Sequence, residues 1–169
     1  MRSITLISFT IFLGLFTVPC LSNTQATVNQ ASVKISGEVK ASLELNLDSL
    51  NKFKQTVVTR KDKDGKDHTY TGVILSDILQ KAGVPSGKDL RGKNLTKYVL
   101  IGASDGYEVV FALAELDKDF TDRVIILADT VDGKPLPAGE GPFRIIVQDE
   151  KKPARCIKMI TGIKVLSAK

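Results

Sequence analysis

Val33, Ile35 and Val39 alternate with polar residues, as do Leu43, Leu45 and Leu47, and a period of two predicts strands in both places. Asp48 then stands as an N-cap for a short helical turn through Phe53. Gln55 to Arg60 is β-branched and strand-like; it leads into KDKDGKDH, whose Asp64-Gly65 pair predicts a hairpin with Thr69 to Val73 returning. At Ile74 the spacing changes. Ile74, Leu75, Ile78 and Leu79 fall on one helical face, with Ser76 or Asp77 in the first turn and Gly83 followed by Pro85 as the stop. After a basic loop over 86–94, Tyr98 to Ala103 and Tyr107 to Phe111 flank Asp105-Gly106 as a second hairpin. Ala114 to Asp117 reads as a helical turn, Val124 to Ala128 and Phe143 to Val147 as buried strands, and Ile157 to Leu166 as one or two strands broken at Gly162. Hairpins outnumber helices, and no repeat or linker interrupts them. The pattern therefore predicts one α+β domain of mostly antiparallel or mixed sheets with few short helices, over residues 32–169.

The first 22 residues do not fit that pattern. Arg2 is followed by an uncharged, apolar stretch from Ile4 to Val18 that ends at Pro19, the arrangement of a secretory signal peptide. The stretch is short for a bilayer span, which needs roughly 20 apolar residues. Cleavage is expected after Ser22, with Ala26 as the second choice, leaving 23–31 as a disordered lead and the mature domain periplasmic or secreted. Cleavage removes Arg2 and no acid, so the formal charge of +5 becomes +4. Scattered lysines without an aromatic ladder argue against a nucleic-acid partner. Cys156 is the one cysteine left after cleavage, so an intrachain disulfide is excluded.

Candidate chemistry is sparse. DGKPLPAGEGPFRIIV, Asp132 to Val147, crowds Gly133, Gly139, Gly141, Pro135, Pro137 and Pro142 just ahead of an apolar run. It reads either as a rigid turn into a buried strand or as a wall that something approaches closely. Asp62, Asp64 and Asp67 lack the glycine and glutamate positions of a calcium loop and read as a solvated hairpin tip. His68, the single histidine, reads as an ordinary hairpin residue. No G-x-S-x-G elbow, Walker loop or dinucleotide fingerprint is present. In PARCIKM, Arg155 and Lys158 read either as a solvated basic surface or as a phosphate holder.

YTGVILSDILQKAGV (70–84), ASDGYEVVFALAEL (103–116), DGKPLPAGEGPFRIIV (132–147) and ARCIKMITGIKV (154–165), in that order, resemble the molybdopterin-binding domain of the sulfite-oxidase family. The resemblance implies that the glycine-rich loop is part of a pterin pocket's wall, where close approach favours glycine. It implies Asp105 near the cofactor, Arg144 against the pterin or its phosphate, and Arg155, Cys156 and Lys158 holding the same end. It also implies a molybdenum-ligating cysteine near Thr59 or Arg60, where this chain has none, and a histidine near Gly139, also missing. Neither Thr nor Arg replaces a soft, anionic thiolate. The expectation is thus an exported pterin- or molybdopterin-binding protein without metal catalysis, a sensing or carrier module for a membrane or exported partner. The alternatives are a molybdenum-cofactor oxidoreductase with an atypical metal ligand, and an interaction unit that keeps the fold alone.

Overall fold

The computed structural model describes residues 31–168, so the expected signal peptide (1–22) and nearly all of the expected lead (23–31) lie outside the described residues. Ten strands form two five-stranded sheets. In the first, the order is β2 (Leu43–Leu45), β1 (Val33–Gly37), β10 (Ile160–Ser167), β5 (Lys97–Ala103), β6 (Glu108–Ala112). In the second, β3 (Gln55–Lys61), β4 (Asp67–Ile74), β7 (Ile125–Val131) and β8 (Lys134–Pro135) lie in order, and β9 (Arg144–Val147) also pairs with β7. Every pairing is antiparallel except β1 with β10. The helices are α1 (Leu47–Leu50) and α2 (Leu75–Lys81).

Several local expectations shift. The cap of α1 is Asn46, whose Oδ1 accepts the Ser49 N–H at 2.9 Å while Ser49 Oγ accepts the Asn46 N–H at 2.8 Å. This reciprocal box displaces Asp48 from the role and puts Leu47 in the helix rather than a strand. β1 stops at Gly37, leaving Val39 outside it, and β10 runs through Gly162 as one strand, though its register with β5 shifts between Ile160 and Gly162. The 86–94 loop is largely wound into 3-10 turns at Gly87–Asp89 and Gly92–Thr96. β8 went unforeseen, although its turn, Asp132-Gly133 with φ of 50° and 73°, is the Asp-Gly pair of a two-residue hairpin.

The main core takes Val33, Ile35, Ile101, Phe111, Ile163 and Val165 from the first sheet, Val73, Leu127, Ile145 and Val147 from the second, and Leu75, Ile78 and Leu79 from α2. A smaller cluster of Val58, Tyr70, Ile126, Ala128, Leu136 and Ile146 covers the other face of the second sheet. Cross-strand register sets what joins it there. Arg60 lies opposite His68, Val58 opposite Tyr70, and Arg144 opposite Ala128. Because side chains alternate along a strand, Arg60, His68, Tyr70 and Arg144 share this face. At Gly72 the β4 and β7 backbones approach so closely that a Cβ would lie 2.2 Å from Leu127 O, beside a register shift that leaves Asp129 as the extra residue. Burial pushes the Asp129 carboxyl above its usual range.

Candidate functional site: an ion-paired cavity on the second sheet

That face opens into a cavity of about 360 Å³ lined by Asp62, Lys63, Asp64, His68, Tyr70, Val131, Asp132, Glu140, Arg144, Pro153, Cys156 and Lys158. The volume lies within the roughly 300–1,000 Å³ of small-molecule sites. Three segments distant in sequence build it: the β3–β4 hairpin tip, the β7–β8 turn with the glycine-rich loop, and the stretch from Pro153 to Lys158.

Arg144 is the centre of the deep wall. Only 6% exposed, it donates from Nη1 to Tyr70 Oη at 2.8 Å and to Glu140 Oε2 at 2.8 Å, with Asp62 Oδ2 at 3.7 Å. Its guanidinium lies 5.2 Å from the centre of the Tyr70 ring. Tyr70 Oη donates to Asp62 Oδ2, and burial, reinforced by that carboxylate, holds the phenol well above its usual range. Tyr70 therefore keeps its proton and passes one polar chain from Arg144 to Asp62. Lys158 Nζ donates to Glu140 Oε1 at 2.6 Å, so a single carboxylate bridges both cations. Arg144 Nε is buried with no acceptor among the described residues.

Behind this wall, Arg60 is buried and donates from Nη1 to Val147 O at 2.9 Å and to Cys156 Sγ at 2.8 Å, with its Nε 3.2 Å from Asp62 Oδ1. Burial pushes the Cys156 thiol up; the Val147 N–H, Arg60 and Arg144 oppose it without reversing the direction.

The rim is held by His68. Its Nδ1 meets Asp132 Oδ2 at 2.6 Å and its Nε2 meets Asp64 Oδ2 at 3.0 Å, while Asp132 Oδ1 accepts the Thr69 N–H at 2.9 Å. A carboxylate at each ring nitrogen is satisfied only by the doubly protonated ring. The Asp132 and then the Asp64 hydrogen bond raise the His68 pKa from 6.5 to about 9, and both aspartates are held below their ordinary range. Because the folded value lies above the unfolded one, the stabilisation is complete below about pH 6.5 and is lost as pH rises through about 9. At the acid end it is lost as the aspartates protonate. The expected result is that the stability difference between the wild type and His68→Gln is constant from pH 5 to 6.5 and shrinks toward pH 9. An imidazole NMR titration with its midpoint near 6.5 would contradict the geometry.

Of the residues the sequence pointed to, Arg144, Cys156 and Lys158 meet in this cavity; Arg155 and Asp105 are not part of its wall. Arg155 turns to Glu150 (Nη2 to Oε2, 3.0 Å) and Glu115 (Nη1 to Oε2, 3.1 Å), with its guanidinium 4.6 Å over the Phe111 ring. Asp105 is exposed at the β5–β6 turn, its Oδ1 accepting the Tyr107 N–H at 3.0 Å. The glycine-rich loop does flank the cavity, but its glycines serve the loop itself. Gly139 has φ of 82° and open space around a Cβ, whereas a Cβ on Gly141 would lie 2.8 Å from Leu136 Cβ. Asp62, His68, Tyr70, Asp132 and Glu140 were missed as site residues. The acids and His68 read as hairpin surface, and only the pairing of β4 with β7 brings Asp132 to them.

A family model described as the oxidoreductase molybdopterin binding domain matches residues 19–169. Among solved structures the chain is similar to the sulfane dehydrogenase SoxCD from Paracoccus pantotrophus, with a TM-score of 0.65 and 18% identity over 82% of this chain and 38% of that one. The chain thus spans well under half of that larger chain, and the likeness is one of fold. No curated protein gives a significant match.

The donors test the fit of the cofactor this implies. Arg144 and Lys158, with an unsatisfied Arg144 Nε, suit an anionic pterin. The metal fares differently. At the family's cysteine position Thr59 is exposed and Arg60 is a buried cation, and Cys156, the thiol in the wall, is held protonated and engaged by Arg60. The family's cysteine position thus offers molybdenum no thiolate, and Cys156 lines the cavity from a different segment.

Proposed function

The chain belongs to the oxidoreductase molybdopterin-binding domain family, with the single sulfite-oxidase-like fold, and from that premise we propose that it is an exported binding module for a pterin of the molybdopterin kind, without metal catalysis of its own. The observation that carries this reading is the pairing of a cationic wall, Arg144 and Lys158, with a thiol that Arg60 already engages. Arg144 and Lys158 would take the phosphate. The wall's carboxylates, Asp62, Asp64 and Asp132, would accept from the pterin's amino and ring N–H groups. Arg155, outside the wall, would brace the Pro153–Arg155 turn. A sensing or carrier role for a membrane or exported partner follows as the use of such a module.

Cys156 favours a second reading, because it lines the cavity from a different segment than the family's cysteine. In that reading the chain is a molybdenum-cofactor oxidoreductase with Cys156 as the atypical ligand. One experiment separates the two. The domain from Asn23, produced through its export route and purified without chelator, should carry pterin fluorescence with no molybdenum. One molybdenum per chain would establish the second reading, and the absence of both pterin and metal would reject both.

A further inference from the structure

Glu140 occupies the place an anionic ligand group would take. Its two carboxylate oxygens bridge Lys158 Nζ at 2.6 Å and Arg144 Nη1 at 2.8 Å, and the side chain is 27% exposed at the cavity surface. Its backbone is anchored independently. The Glu140 N–H donates to Pro137 O at 3.0 Å, and its carbonyl accepts the Met159 N–H at 3.0 Å, so the side chain can turn out without unwinding the loop. Arg144 cannot follow it, being buried and tied to Tyr70. A departing carboxylate would leave two cations at the wall and an Arg144 Nε with no acceptor.

We propose that Glu140 is an internal stand-in for a ligand phosphate, and that a phosphate monoester binds the Arg144–Lys158 pair by displacing it. Charge arithmetic makes this a specificity device. A ligand carboxylate would exchange one negative charge and two oxygens for the same, with no gain. A phosphate brings about −1.5 to −2 charges at pH 7 and three acceptor oxygens. The cavity therefore selects phosphate esters over carboxylates through a residue that need not touch the ligand. The inference deepens the pterin reading, but its anion arm does not depend on the ring.

The test is calorimetric titration, at low ionic strength, of the wild type, Glu140→Gln and Lys158→Gln with inorganic phosphate, acetate and a pterin lacking phosphate. Wild type should bind phosphate and ignore acetate. Glu140→Gln should bind phosphate about tenfold tighter, a change of ~1.4 kcal/mol, and acquire acetate binding. Lys158→Gln, at a half-exposed site, should lose the phosphate response, which keeps the test decisive if Glu140→Gln does not fold. Equal phosphate affinity in wild type and Glu140→Gln, or in wild type and Lys158→Gln, overturns the proposal. The pterin arm is separate: it asks whether the wild type binds the phosphate-free pterin at all. Phosphate behaving as described with no pterin bound would reject the pterin reading and leave Glu140 in its role; pterin bound with phosphate indifferent to Glu140 would do the reverse.

Discussion

Arg144→Ala should lower the unfolding free energy by about 1.5–3 kcal/mol and abolish pterin binding, because it removes the buried cation of the cluster with its charge-assisted hydrogen bonds, leaving Glu140 to Lys158 and Asp62 to Arg60. Glu140 Oε2 and Tyr70 Oη would each lose a donor at 2.8 Å, and Asp62 would lose a nearby cation at 3.7 Å. Exposed pairs elsewhere, such as Arg123 with Asp149, should be worth about 0–1 kcal/mol, since water already solvates both partners. Urea denaturation of both variants provides the comparison. If Arg144→Ala costs no more than Arg123→Ala, the cavity is wetter than its burial indicates and the cationic wall is not preformed. A pterin titration that survives Arg144→Ala would separately remove Arg144 from the ligand.

Phe143→Ala is the second large effect, expected at about 3–5 kcal/mol. Phe143 is fully buried at the point where the glycine-rich loop enters β9, and its carbonyl accepts the Ile160 N–H at 3.1 Å. The cost of a deleted aromatic depends on whether the surroundings collapse into the hole. Here other members of the same core, such as Ile145 and Ile163, sit on strands whose ladders resist movement. A domain of this size typically has about 5–15 kcal/mol in total, so the variant should unfold well before the wild type on heating. A loss below about 1.5 kcal/mol would mean that the loop, rather than the sheet, relaxes to fill the space. Because Arg144 is the next residue, ligand affinity should fall too, through its position rather than its charge.

What was legible in the sequence was local. The Asp105-Gly106 hairpin, the strand over Gln55–Arg60 and the helix ended by Gly83 all depend on residues within a few positions, and all formed. Of the residues the family resemblance pointed to, Arg144, Cys156 and Lys158 line one cavity, and Arg155 and Asp105 lie outside its lining. The misses have physical causes. Arg155 ends a 3-10 turn and faces Glu115 and Glu150, whereas Cys156 and Lys158 look into the cavity; spacing within PARCIKM did not reveal that divergence. His68 looked ordinary because the partner that most raises its pKa, Asp132, stands 64 residues away. Glu140 was passed over inside a loop read for its glycines and prolines. Its role rests on Lys158, 18 residues on and brought close when the Met159 N–H bonds the Glu140 carbonyl.

The parallel pairing of β1 with β10 sets the order in which this chain can become a protein. Lys34 lies opposite Gly162 and Val165 opposite Gly37, so β1 must wait for β10 before its sheet closes. Closing so long a loop costs entropy before any contact repays it, and sheets dominated by such pairings fold slowly. A chain emerging residue by residue therefore holds an incomplete first sheet until β10 is released. β10 is thus the clasp of the first sheet, while the strands of the second sheet all precede it.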